Sequence, residues 1–463
     1  MASGVAAVAL AAVLLGVAPL GADDWTPLDA ARWVNLTGSL RADYFSSSRS
    51  LDDREHLFGS AFYLKASPRF GGHVSGVFEG WVRRPDLFDA HTTDGDLREG
   101  YLDLTLGKMD LRVGKQLIVW GRADRINPTD NLTPRDFTLL VPDDDDQRSG
   151  VPALKATLHV LGVSLTGVWP PVFKPNVVPF RATPGVTFHE VDPEGTAARD
   201  QWAVRLEQTG RLVDWSVSYF DGLDLFPDLA LGALSIGPGG APAVEVLLQH
   251  HRLHVFGADA ATTRGRFGLR GEVAYTLTED RRGDDPEVKN PYLFMVLGTD
   301  RTFLDDLNVN VQYSLRVVKD FQDPEQIDDP LRRALAIEQA VVSSQQDRVQ
   351  HGVSVRISRK WLNDTLAAEV AAVYGFARQD FVVRPRLVYA FTDRITASVG
   401  ADLFGGPRPS FFGRLRDAST AFAELKVSFS AGGAPPSARQ TRTRGSNSLR
   451  CSSSAKRSVI PAM

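Results

Sequence analysis

Residues 307–316 read LNVNVQYSLR, with Leu307, Val309, Val311, Tyr313 and Leu315 on one side of an extended chain and Asn308, Asn310, Gln312, Ser314 and Arg316 on the other. A strand turns successive side chains to opposite faces, so this beat makes one apolar and one polar face. It recurs near the start, where Val34, Leu36, Leu40, Ala42 and Tyr44 alternate with Asn35, Thr37, Ser39, Arg41 and Asp43, and again in FGLRGEVAYTL, HGVSVRIS and RITASVGADL. These segments run about 10 to 14 residues, against about 5 to 6 for the usual strand of a globular protein. A soluble sandwich must also bury its apolar face on a second sheet. Long strands, apolar on one side and charged on the other, match a transmembrane barrel with lipid outside and water inside.

Connection lengths test that reading independently, because outer-membrane barrels alternate short periplasmic turns with long outer loops and carry an even number of strands. Short links fall at 68–72, 107–108, 160–162, 208–212, 262–265, 298–301, 359–363 and 392–393. Between them lie mostly long ones, near 46–55, 85–96, 121–150, 170–200, 279–290, 318–347 and 404–418, with a shorter link at 377–381. Every plausible strand together gives an odd count, and AVEVLLQ at 243–249 is the weakest candidate. Assigning it to a loop from 221 to about 251 restores the alternation. The expected fold is all-β, an antiparallel up-and-down barrel of about eighteen strands, with about sixteen as the nearest alternative. Trp33, Tyr44, Trp120, Trp169, Trp202, Tyr219, Tyr292, Tyr374 and Tyr389 stand near strand ends, where interfacial girdles are expected.

Composition agrees and excludes other classes. The 463 residues carry 43% hydrophobic side chains, 40 Gly and 27 Pro, enough to bury a core. Fifty-two basic residues against 56 acidic ones leave a net charge of -4, no footprint for nucleic acid. The one cysteine, Cys451, rules out an intramolecular disulfide and thiolate metal sites. Neither a Gly-x-Ser-x-Gly elbow nor a His-Glu-x-x-His helix accompanies the histidines His250, His251 and His254, so no enzyme and no cofactor is expected.

Residues 1–22 read as a secretory signal peptide, an apolar run from Val5 to Leu14 followed by small residues to Ala22, although no Lys or Arg precedes the run. The barrel is expected over 23–430. Its last strand, TAFAELKVSF, puts Ala421, Ala423, Leu425, Val427 and Phe429 on one face and ends in Phe, like the C-terminal recognition signal of outer-membrane barrels. Residues 431–463, basic and Ser-rich, lack an apolar face and are expected to be disordered.

One stretch breaks the beat. LRVGKQLIVWGRADRINPTDNLTPRDF, residues 111–137, starts as a strand and passes at Trp120 and Gly121 into a long polar loop. Alternation sends Leu111, Val113, Leu117 and Val119 to lipid and Lys115 with them, which is costly. Either a β-bulge near Lys115 and Gln116 turns both inward, or the lysine snorkels. Through Gly114, Lys115, Gln116, Trp120, Gly121, Asp124, Asn127, Pro128 and Asp130, this block resembles a group of uncharacterised Gram-negative outer-membrane barrels related in pattern to porins and alginate-export barrels. The resemblance covers under a tenth of the chain. It implies an outer-membrane location but no substrate; the partners expected of such a barrel are outer-membrane lipid, the barrel-assembly machinery and a small polar solute, with a homotrimer as one option for assembly. It also implies that the strand stops at the outer interface by Trp120.

The inward faces carry the candidate channel-lining residues Arg112, Arg205, Arg270, Arg316, Arg356, Arg384 and Arg386, opposed by Glu99, Asp103 and Glu272 and by Asp43, Glu79, Glu207, Glu369 and Glu424. Such charges either set the selectivity of a water-filled pore or pair across strands to satisfy one another. By analogy with porins, the loop 121–150 is expected to fold inward as a constriction bearing Asp143, Asp144, Asp145 and Asp146. These four lack the spaced ligands and turn glycine of a calcium loop, so no metal is expected. Two functions remain open: a channel for diffusion or export of small polar or anionic solutes, and a plugged barrel that binds or assembles a surface component.

Overall fold

The computed structural model describes residues 27–89, 93–236, 242–304 and 306–431; the expected signal peptide and nearly all of the expected C-terminal tail lie outside them. Eighteen antiparallel strands, starting with 37–47 and ending with 420–430, close one continuous wall, each paired with its sequence neighbours in the barrel. The two-residue ladder 69–70 only extends a hairpin after Pro68 and adds no wall strand. Closure comes from 37–47 lying against 420–430, with Gly38 opposite Phe429 and Phe45 opposite Phe422.

The alternation read from the sequence is the alternation of the wall. In strand 307–318, Asn310, Gln312 and Arg316 are buried while Val311 and Tyr313 are exposed, and in 380–390 Val382 is buried between the exposed Phe381 and the outward Val383. Exposed Leu293, Leu297, Val370, Leu387, Val399 and Leu425 continue the same outer belt around the wall. Such a surface is stable only against hydrocarbon, and a closed wall leaves no edge strand with unpaired backbone groups in lipid. No helix among the described residues is long and apolar enough to cross a membrane. The closed wall and its apolar outer belt are those of a transmembrane β-barrel. Aromatic clusters mark the rims: Trp202, Tyr219 and Phe256 on one edge, Tyr389 with Phe391 and Trp33 with Phe70 on the other.

Two of the expected girdle residues face inward instead. Trp120 is 6% exposed and packs inside the barrel, and Tyr292 packs with Phe294 and Ala123 around the guanidinium of Arg316. The strand containing the resemblance block stops at Gln116, not at Trp120.

The weak strand at 243–249 does form, over 242–249, but outside the wall. It pairs with 228–236 and, in parallel, with 186–190 to make a small sheet in the outer loops. Leu229, Val246 and Leu248 of this sheet pack on Leu335 of a helix at 330–342. That helix starts where Asp329 accepts the N–H of Arg332 at 2.7 Å ahead of Pro330. Beneath, the buried Lys289 lies between Asp224 and Asp228, whose carboxylates hold its ammonium well above the usual lysine range against the opposing effect of burial.

Candidate functional site

The loop 117–150 leaves the fifth wall strand and enters the barrel. Gly114 adopts φ +127°, and a Cβ there would lie 2.3 Å from the Gly100 carbonyl, so the strand end tolerates only glycine. The neighbouring strand 94–106 carries a register shift beside Arg98. The irregularity expected near Lys115 and Gln116 therefore lies at Gly114 and across the ladder. Gln116 is fully buried and donates to the Ala153 carbonyl at 2.9 Å, while Lys115 pairs with Asp96 at 2.7 Å. Beyond them the Thr133 hydroxyl accepts from Ile118 N–H and donates to the Ile118 carbonyl, both at 2.8 Å, stapling the loop's neck. Ile118, Trp120 and Leu132 then pack on Ala203, Phe220, Leu253 and Ala274 of the inner wall.

Glu272 holds the loop's first turn. Its Oε2 accepts the N–H groups of Arg122 at 3.0 Å and Ala123 at 3.2 Å; its Oε1 accepts both the N–H and the hydroxyl of Thr129 at 2.8 Å. Gly121, with φ +98°, is the residue that lets this happen, because a Cβ would fall 2.5 Å from the Glu272 carboxylate. Arg122 continues to Asp259 at 2.6 Å, Asp124 lies 3.5 Å from Arg270, and Arg125 meets Glu369 at 2.6 Å, which also takes Arg356 at 2.6 Å. Farther along, Arg148 reaches Asp130 at 2.5 Å. Burial and then the neighbouring Arg148 push the Arg135 guanidinium down to about 10.

The four consecutive aspartates form a short 3-10 turn and diverge. Asp144 is 2% exposed and receives two nitrogens of Arg384, whose Nε also meets Asp402 at 2.5 Å; Arg49 approaches Asp402 from the other side. Asp146 takes Arg41 at 2.6 Å, with Arg98 3.7 Å away. Asp143 caps the N–H of Asp145 at 3.3 Å. Burial and then Asp143 push the Asp145 carboxyl up to about 6, and burial and then Asp146 raise that of Asp143. The loop thus touches inward groups from wall strands on every side of the barrel. Among the described residues no three His, Cys, Asp or Glu side chains gather as metal ligands.

The remaining residues singled out from the sequence are distributed as follows. Arg112 forms a two-nitrogen pair with Asp103 at 2.7 and 2.9 Å, over the Tyr101 ring. Arg205 lies 3.3 Å from both Asp259 and Glu207, and Arg270 pairs with Asp300. Glu99 accepts the N–H of Leu117 at 3.0 Å. Arg316 does not border open water: it is 7% exposed and donates to the Ser343 and Ser344 carbonyls that end the 330–342 helix, at 3.0 and 2.9 Å. Arg386 faces inward, half-buried, near Asp143, Glu369 and Glu424, but makes no hydrogen bond or ion pair among the described residues. His250 lies 2.6 Å from Glu190, His251 2.8 Å from Asp228, and His254 3.0 Å from the Tyr219 hydroxyl; they do not converge on one point.

Sequence reading missed Arg49, Arg122, Arg125, Asp259 and Asp402. Asp259 and Asp402 sit at inward positions of strands 252–264 and 395–405, which alternation alone could have flagged. The other three lie in loops, where no periodicity applies.

No protein-family model and no curated protein matches the chain. Solved structures of similar architecture include OccK1 (OpdK) of Pseudomonas aeruginosa, at 10% identity over 86% of this chain and 98% of that one with a TM-score of 0.49. OmpF of Salmonella typhi, in complex with daunomycin, aligns at 10% identity over 86% and 98% with a TM-score of 0.40, and a mutant of the Rh. blastica porin at 11% over 85% and 99% with 0.40. At this distance the likeness concerns the fold alone.

Proposed function

We propose that the barrel is a porin-like channel for diffusion or export of small polar or anionic solutes, with the loop 117–150 as its constriction. The observation that carries the reading is where the charges keep water. On the periplasmic side of the loop the inward side chains of Asp103 and Glu207 retain 31% and 38% exposure, whereas Asp144, Asp402 and Asp259 at loop level retain 2–3%. A wet lumen narrowed at one level is the arrangement of a filter. Conductance of the purified protein in planar bilayers, with reversal potential under a salt gradient, tests it: discrete ion-conducting steps support the channel. A well-folded protein with no conductance would make the loop a plug and the barrel a binder or assembler of a surface component.

A further inference from the structure

Above the constriction, a cavity of about 630 Å³ opens between the inward loop and five other outer loops. Phe137 of the inward loop, Phe188 and Val246 of the small sheet, Leu335 of the 330–342 helix, and Phe404 and Phe412 at the last outer loop all line it. Its size lies within the roughly 300–1,000 Å³ of small-molecule sites. Water against such walls is unfavourable, so the cavity favours an apolar guest. Its ionisable lining is five arginines against four carboxylates. At the floor, Arg49 and Arg384 are answered by Asp402 and Asp144, and at the rim Arg414 by Glu338 and Arg181 by Asp417 at 3.9 Å and by Asp53 just outside the lining. Arg408 is exposed and has no hydrogen bond or ion pair among the described residues, so it is the lining cation not already answered by a carboxylate.

We infer that this cavity binds an organic anion with an apolar body, of the size of a two- or three-ring aromatic acid, its apolar part among the phenylalanines and its charge toward Arg408. The inference names a solute class for the proposed channel but is tested by equilibrium binding, which does not require conduction. Calorimetric titration of 2-naphthoate into the full chain in lipid nanodiscs, with empty nanodiscs subtracted, is expected to show one saturable site. Ala334 is an exposed residue of the helix surface lining the cavity, so Ala334→Trp should fill the space without entering the barrel and weaken binding by about tenfold. Arg408→Glu should weaken naphthoate by about threefold and leave the neutral 2-naphthalenemethanol unchanged, as expected of an exposed charge. Heat-modifiable gel mobility verifies folding of both variants. Absence of saturable binding, or equal binding by Ala334→Trp, overturns the site. Equal loss of acid and alcohol in Arg408→Glu overturns the anion preference. A phospholipid that co-purifies with the wild type and is lost in Ala334→Trp overturns the small-molecule reading in favour of an acyl chain.

Discussion

Thr129 gives its backbone N–H and its hydroxyl to one oxygen of the Glu272 carboxylate, each at 2.8 Å, and so ties a loop residue to the wall strand 267–277 on the far side of the lumen. The other oxygen takes Arg122 and Ala123. A single carboxylate therefore satisfies four donors that otherwise would be buried without water. Hydrogen bonds to a charged acceptor each contribute about 1.5–3 kcal/mol, and donors left unmet carry a further penalty.

Glu272→Gln is the informative replacement because it keeps the shape. An amide can accept at one end only, so its NH2 must oppose either Thr129 or the Arg122 and Ala123 N–H groups. The loop should loosen, single-channel conductance should rise, and limited proteolysis should cut between 121 and 135 where the wild type resists. Unchanged proteolysis and conductance would show that the apolar packing of Ile118, Trp120 and Leu132 suffices to hold the loop.

Arg384 and Arg386 point into the same lumen two residues apart on one strand, and their partners separate their roles. Pro385 between them has no N–H to give to strand 395–405, and the ladder there skips from Val383 to Arg386. Arg386→Ala removes a cation with no ion-pair partner among the described residues, so anion preference from reversal potentials should fall with little change in stability. Arg384→Ala leaves Asp144 without a counter-charge and Asp402 with Arg49 alone; it should destabilise the barrel by about 3–5 kcal/mol and shift selectivity toward cations. Equal effects of the two substitutions would remove this distinction.

The wall was legible because its physics is local: a two-residue beat and the alternation of long and short links give eighteen strands and put the 243–249 segment outside the wall, although the turn expected at 298–301 lies within strand 292–303 and the chain reverses only after Phe303. The loop was legible only in part. Its length and its break at Gly121 announced an inward excursion, but the partners of its charges depend on which wall strand stands opposite, and that is set by the closure of the barrel. Trp120 illustrates the difference. An aromatic at a strand's end reads as an interfacial anchor, yet here the strand ends four residues earlier and the indole turns into the lumen beside Arg205. Arg316 obeyed the alternation, but the helix 330–342 that covers it folds back from the outer loop leaving that same strand, which strand periodicity does not report.

The acidic turn should make selectivity depend on pH. Asp145 stands at about 6 in the folded protein against 3.8 ordinarily, so between those values the folded state binds the extra proton. A carboxyl raised in this way stabilises the folded loop under acid, and that contribution falls as pH rises from about 4 to about 6. Protonation also removes negative charge from the inward loop. Reversal potentials should shift toward anions between pH 7.5 and pH 5, and Asp145→Asn should flatten the shift. A full pH response in that variant would assign the titration to other groups, Asp143 first.

The chain's end offers a test of closure. Phe429 lies opposite Gly38, stacks on Phe62 at 6.1 Å between centroids, and leaves no room for a side chain at Gly38. Phe429→Ala should slow assembly and lower the temperature at which the heat-modifiable band is lost. Deleting residues 432–463 should leave both intact. Loss of the folded band on deletion would mean that the tail takes part in closing the barrel.

Register can be tested directly with two neighbouring residues. Val311 is exposed on the lipid side of strand 307–318, while Gln312 next to it is 1% exposed inside. Val311→Arg places a charge against hydrocarbon and should destabilise the barrel by about 2–4 kcal/mol if it stands near the midplane. Gln312→Ala meets no lipid. It removes a side chain packed between Gly298 and Ser354, on the two flanking strands, and should act on the lumen, through conductance. A slip of one residue would exchange the two faces of every strand, so the phenotypes would swap. Urea titration of refolding into lipid vesicles, paired with bilayer conductance, separates the outcomes: stability lost at 311 with conductance altered at 312 fixes the register, and the reverse pattern would invert the wall.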